Sequence, residues 1–170
     1  MLARREAERR EAFVALFSQM APRLYRTAVG ILGNPHDAAD ALQEPGLKAF
    51  RYFDSLASPE AGPAWLNRIL INTCYDVGRR RARTVPTGLE VVVSPDGYTA
   101  PETDWALLEA LQQLSPEQRT TVVLRFFQDL TIAQIAQVMS VPEGTVKSRL
   151  HASMAKLRAA LAPAAEEGVQ

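Results

Sequence analysis

Apolar residues recur along most of this chain at intervals of three and four, the period of an α-helix with one buried face. Glu11 to Met20 and Pro22 to Leu32 both carry that spacing, and Pro22 stands in a first-turn position that tolerates proline, so the pattern predicts two helices there. In "GNPHDAAD" Gly33 closes one helix and the next begins, with Asn34 as N-cap, Pro35 at N1 and Asp37 in the first turn. The loop "DSLASPEAG" precedes a helix predicted over Pro63 to Arg83. Its buried stripe is Leu66, Ile69, Leu70, Thr73, Cys74 and Val77, which turns Arg68, Asn72, Tyr75, Asp76 and Arg79 outward.

The helical period stops at residues 84–101, "TVPTGLEVVVSPDGYTAP", where three prolines, an Asp-Gly pair and one short β-favouring run without a partner make a linker. It resumes at Trp105 to Leu114. Ser115 and Gln118 form a capping box with Pro116 at N1, Thr131 and Gln134 repeat the box, and a last helix runs from Pro142 to Leu161 before a fraying tail, residues 163–170. The predicted fold is all-α: two small helical domains, 1–83 and 102–162, joined by a flexible linker, the second a helix-turn-helix.

The formal net charge of zero hides a segregation. Residues 1–83 carry thirteen Lys/Arg against nine Asp/Glu, 84–112 carry five acidic residues and no basic one, and 113–162 carry six basic against three acidic. Two basic blocks that could meet a polyanion thus flank a connector that would avoid it. A single cysteine, Cys74, excludes an internal disulfide framework and a cysteine metal cluster, and its place on an apolar stripe predicts a buried thiol with a packing role. His36 and His151 stand far apart beside no ligand set. With no spanning apolar run and no signal-peptide pattern, a cytoplasmic protein is expected.

The most informative segment is "LTIAQIAQVMSVPEGTVKSRLHASMAKLR", residues 130–158. One helix would bury Ile132, Ile135, Ala136 and Met139; after a turn at Ser140 and Val141 a second would bury Val146, Leu150, Met154 and Leu157, which is helix-turn-helix spacing. Thr145, Ser148, His151 and Ala152 then project away from the core with Lys147 and Arg149 at their edges, a face suited to a major groove. An ordinary helical hairpin with a solvated face is the alternative. The second candidate is the outward face of the 63–83 helix, where arginines could pair with phosphates and Trp65, Tyr75 or Asn72 could meet an unpaired base. Here a solvated basic face, with "RRRAR" complementing the helix dipole, explains the residues equally well.

These segments, in this order, resemble the extracytoplasmic-function sigma factors of bacterial RNA polymerase over residues 13–161. "APRLYRTAVGILGNPHDAADALQE" with "LKAF" is similar to the helices that bind the polymerase clamp, "AWLNRILINTCYDVGRRRAR" to the helix that opens the minus-ten element, and residues 114–158 to the domain that contacts the minus-thirty-five element. The resemblance implies core-polymerase contacts at Asp40, Gln43 and Glu44; capture of the melted minus-ten strand by Arg68, Asn72, Arg79, Arg80, Arg81 and Arg83, with a flipped base pocketed at Ser58 to Gly62; and minus-thirty-five contacts from Thr145, Lys147, Ser148 and Arg149. It also implies promoter DNA and core polymerase as partners, an anti-sigma factor as a regulator, and neither cofactor, metal nor enzymatic chemistry. The alternatives are a stand-alone helix-turn-helix regulator and an inactive sigma-like adaptor that occupies polymerase or an anti-sigma factor.

Three positions depart from the resemblance. Ala152 and Ala155 stand where arginines are common, which predicts weaker and less salt-sensitive minus-thirty-five binding; Ala39 replaces a common acidic residue; and Pro45–Gly46 interrupt a helix that members usually continue, with a large aromatic at position 46. Loss of a core aromatic costs about 3–5 kcal/mol and an interior proline about 3 kcal/mol. One expectation is that the helix breaks, restarts with Glu44 near the cap and Pro45 at N1, and lets Leu47 or Phe50 fill the gap; the other is a loosened clamp-binding surface.

Overall fold

The computed structural model describes residues 2–53, 56, 58–84 and 105–162, with the backbone alone at residues 2, 3, 44, 45, 47, 48, 59 and 84. The expected linker, Thr84 apart, and the expected tail lie outside the described residues. Among the described residues seven α-helices follow one another: α1 Leu2–Leu32, α2 Pro35–Tyr52, α3 Gly62–Thr84 after a 3-10 turn at Pro59–Ala61, α4 Trp105–Gln112, α5 Pro116–Phe126, α6 Ile132–Met139 and α7 Glu143–Leu161. Among the described residues there is no strand.

The two helices expected on either side of Pro22 are one. Phe13, Met20, Leu24, Ala28 and Ile31 are buried at helical spacing straight through the proline, so breaking the helix would divide the face that packs on α2 and α3. Pro22 and Ser18 are both exposed, where water can serve the carbonyl that proline leaves without a donor.

The boundary after α1 forms as expected. Gly33 adopts φ +69°, and the Asn34 side chain accepts from the backbone N–H groups of His36 at 2.8 Å and Asp37 at 3.1 Å. The restart expected at Glu44–Pro45 does not occur, for α2 is continuous through residue 52. A Cβ on Gly46 would lie 3.6 Å from Phe17 Cζ, so a ring supplied by α1 occupies the place that a large side chain on α2 would take. Packing supplied from outside the helix outweighs the local cost of the pair.

In the C-terminal half both capping boxes are present, at Ser115/Gln118 and Thr131/Gln134. Ser140 closes α6 in the left-handed conformation, φ +56°, its N–H donating to the Ala136 and Gln137 carbonyls. Ile135, Ala136, Val138, Val146 and Leu157 are buried in the helix-turn-helix, while Ile132, Met139, Leu150 and Met154 are only half-buried at its margin.

The halves do not stand apart. One buried cluster runs from Phe13 through Leu70 and Leu111 to Leu157, and α1 packs on α4 and α5 as α3 packs on α6. At Gly30 the approach is close: a Cβ there would lie 2.9 Å from both Val123 and Phe127 side chains. Only a residue without a side chain lets α1 and α5 meet at this distance.

Candidate nucleic-acid interface

The first face is the N-terminal half of α7. Lys147 and Ser148 are exposed, Thr145 and Arg149 half-buried, and the Ser148 hydroxyl donates to the Thr145 carbonyl at 3.0 Å. Ser153 turns inward instead, fully buried with its hydroxyl on the Arg149 carbonyl at 2.6 Å, so the outer face continues through His151 and Ala155. A helix end presenting a lysine, hydroxyls and an arginine can donate to phosphates and to base edges.

The second face, on α3, is engaged with the protein itself. Arg68 donates through Nη2 to the Gln137 carbonyl at 2.6 Å and the Ser140 hydroxyl at 3.1 Å, and through Nε to the Val138 carbonyl at 3.4 Å. It thereby caps the C-terminal carbonyls of α6 with positive charge, at the turn of the helix-turn-helix. Tyr75, expected to face outward, is half-buried with its hydroxyl donating to Thr120 Oγ1 at 3.2 Å, and burial pushes its phenol pKa up. Asn72 and Arg83 are exposed; Arg79 pairs with Asp76, Arg80 donates to the Asp76 carbonyl at 3.4 Å, and Arg81 meets Asp37 on α2 at 2.9 Å. The basic run thus collects on the last turns of α3, about three turns from Arg68.

Beside α3, the turn over Ser58 to Gly62 is closed by the Ala61 N–H on the Ser58 carbonyl at 3.1 Å. Hydrogen bonds from the Ser58 side chain and from its own backbone hold the Glu60 carboxyl below its ordinary range. On α2, Asp40 and Gln43 are exposed on one helical face, with His36 Nε2 3.8 Å from Asp40; the Glu44 side chain lies outside the described residues.

What the sequence did not reveal is the polar joint between the halves. Arg119 donates to the carbonyls of Leu111, Gln112 and Leu114 at 2.8, 3.1 and 3.0 Å, and across the joint to Ile31 at 2.7 Å. Its burial pulls the guanidinium pKa down, though arginine remains a cation. Buried Gln128 donates to Thr27 at 2.7 Å and Asn67 at 3.2 Å, binding α1, α3 and the end of α5 together. The available signal was phase: Thr27 and Asn67 are polar residues on buried helix faces. Cys74 is buried as expected, its thiol pushed up to about 12 by burial, which makes it inert. Among the described residues no cluster of three metal-ligating side chains occurs, and no helix is long and apolar enough to cross a membrane.

The family model "Sigma-70 region 2" matches residues 16–84 and "Sigma-70, region 4" matches residues 104–157. The chain is 40% identical over 159 residues to the ECF RNA polymerase sigma factor SigM of Mycobacterium tuberculosis, covering 92% of this chain and 81% of that one. It is 36% identical over 137 residues to the RNA polymerase sigma-E factor of Streptomyces avermitilis, covering 79% and 76%. Among solved structures, the sigma factor RpoE of Bartonella quintana, crystallised with the anti-sigma factor NepR, superposes with a TM-score of 0.72 at 25% identity, covering 85% of this chain and 93% of that one. CnrH, solved with the cytosolic domain of CnrY, shares the fold with a TM-score of 0.71 at 23% identity, covering 94% and 93%.

Proposed function

The chain belongs to the extracytoplasmic-function sigma factors of bacterial RNA polymerase, and on that premise we propose how its surfaces divide the work of promoter opening. Region 2 extends over residues 1–83, region 4 over 102–162, with an acidic connector at 84–101 and a tail at 163–170. Thr145, Lys147, Ser148 and Arg149 enter the major groove of the minus-thirty-five element. Arg68, Asn72, Arg79, Arg80, Arg81 and Arg83 hold the melted minus-ten strand, and Asp40, Gln43 and Glu44 dock on core polymerase. Capturing an extruded base in a basic-rimmed pocket offsets an unpairing cost of a few kcal/mol, and holding two weak DNA modules on one polymerase raises their effective concentration. The protein performs no covalent chemistry; it acts on RNA polymerase in the cell interior, and we place it in the cytoplasm.

The observation that carries this reading furthest is the double use of Arg68. In the packed form its guanidinium is held by the turn of the helix-turn-helix, so the residue assigned to the minus-ten strand is available only when the halves part. The packed form is therefore the resting state, and polymerase, by binding the halves separately, selects the open one. An anti-sigma factor, such as the Bartonella relative was crystallised with, would hold the chain in the packed state.

Transcription in vitro with purified core polymerase tests the reading. Open complexes on a promoter fragment are expected, lost with Asn72→Ala and Arg68→Ala. Duplex binding without open complexes would support a stand-alone regulator, and core binding that only represses would support an adaptor; either outcome overturns the proposal.

A further inference from the structure

Pro45 cannot donate a hydrogen bond to Ala41, and Gly46 offers no side chain, yet α2 continues unbroken to Tyr52. What holds its second half comes from α1. The Arg9 guanidinium lies 4.9 Å from the centre of the Phe50 ring and donates through Nη2 to the carbonyls of Phe50 at 2.7 Å and Arg51 at 3.4 Å. Those carbonyls belong to the last turn of α2, which has no intrahelical donor, and a positive charge is favoured there. One turn along α1, buried Phe13 packs edge-on against Phe50 at 5.5 Å and Phe53 at 5.4 Å. It stacks on Phe17 at 5.8 Å, and Phe17 covers Gly46. Residues 9, 13 and 17 form a single ridge at helical spacing that follows α2 from its C-terminal end back to the proline–glycine pair.

We propose that Arg9 is a positioning residue for polymerase docking, fixing the last turns of α2 through a ridge that does from outside what Pro45–Gly46 fail to do from within. The inference rests on the assignment of α2 to core polymerase. Arg9 and Phe13 lie ahead of residue 16, where the region 2 match begins. The brace makes the charged N-terminal segment part of the docking surface's foundation, although Arg9 itself need touch nothing on the polymerase.

The test is a coupling measurement in the full chain. Arg9→Ala should weaken binding to purified core polymerase roughly tenfold, the usual effect of one charge-assisted hydrogen bond, and speed amide exchange at residues 47–52. In the background Pro45→Ala/Gly46→Ala, which restores the donor and a Cβ with room to fit, the loss should shrink to about twofold. Arg9→Lys, keeping the charge but not the guanidinium fork, should fall between. An equal tenfold loss in both backgrounds would mean that Arg9 contacts polymerase directly, and no loss in either would mean that the ridge is idle; both outcomes overturn the proposal. Should the unmodified chain not bind core polymerase at all, the docking assignment fails on its own, while amide exchange at residues 47–52 still decides whether Arg9 braces α2.

Discussion

The two helices assigned to DNA, α3 and α7, differ in what they are doing when no DNA is present. On α7 the side chains that would meet a groove, Lys147 and Ser148, are exposed, and Val146 and Leu157 beneath them are buried. On α3 the equivalent surface is partly engaged: Arg68 caps α6 and Tyr75 meets Thr120 in the other half, while Asn72 and Arg83 stay exposed. On the proposed assignment, the α7 face is open to duplex DNA while Arg68 of the α3 face is held. On that assignment the chain would bind a minus-thirty-five element before Arg68 could meet a melted strand.

The comparison breaks most severely where one residue serves both halves. Arg119 holds the loop between α4 and α5 by three carbonyls and reaches Ile31 across the joint. Arg119→Ala removes four hydrogen bonds from a half-buried cation and should lower the free energy of unfolding by about 3 kcal/mol, measured by urea denaturation. A change within 0.5 kcal/mol, roughly the size of a neutral surface substitution, would show that the joint contributes nothing to stability.

A sharper instrument acts on the joint alone. Both neighbours of Gly30, Val123 and Phe127, belong to the other half, so Gly30→Val overpacks only the contact between halves, at about 2 kcal/mol. If the packed form dominates at rest, affinity for a single-stranded minus-ten oligonucleotide should rise up to about thirtyfold. Duplex binding through α7 should stay the same, and the radius of gyration in solution scattering should grow. Unchanged scattering and unchanged strand affinity would remove the resting-state interpretation.

The same contrast separates what the sequence disclosed from what it hid. Asn34–Pro35, Ser115–Gln118 and Thr131–Gln134 were legible because a cap is settled within four residues, and all three formed. The helix-turn-helix was legible for the same reason, its turn and two stripes lying inside one short segment. The breaks expected at Pro22 and at Pro45–Gly46 did not occur because their local cost is outweighed by packing, of the uninterrupted stripe of α1 in the first case and of the Phe17 ring in the second. The placement of Arg68 and the contact of Gln128 with Thr27 and Asn67 join residues 61 to 101 positions apart. No periodicity within a helix encodes such pairings.

The smallest effect isolates one hydrogen bond of the joint. Tyr75→Phe removes the donor to Thr120 and should cost about 1 kcal/mol at neutral pH, seen as a small fall in the urea midpoint. Its pH dependence is more telling. Burial raises the Tyr75 phenol pKa in the folded protein, so the neutral form is the one that folding favours. The stability from this group is fully present below the unfolded phenol's value of about 10 and is lost as the pH rises through the higher folded value. Wild type should therefore lose its advantage over Tyr75→Phe above about pH 10, with the joint loosening while α7 stays folded. Cys74 also titrates in this range but is present in both proteins, so its contribution cancels in the difference. A constant gap between the two urea midpoints from pH 8 to pH 11 would mean that the phenol is not in the joint, and that α3 is withheld from DNA by Arg68 alone.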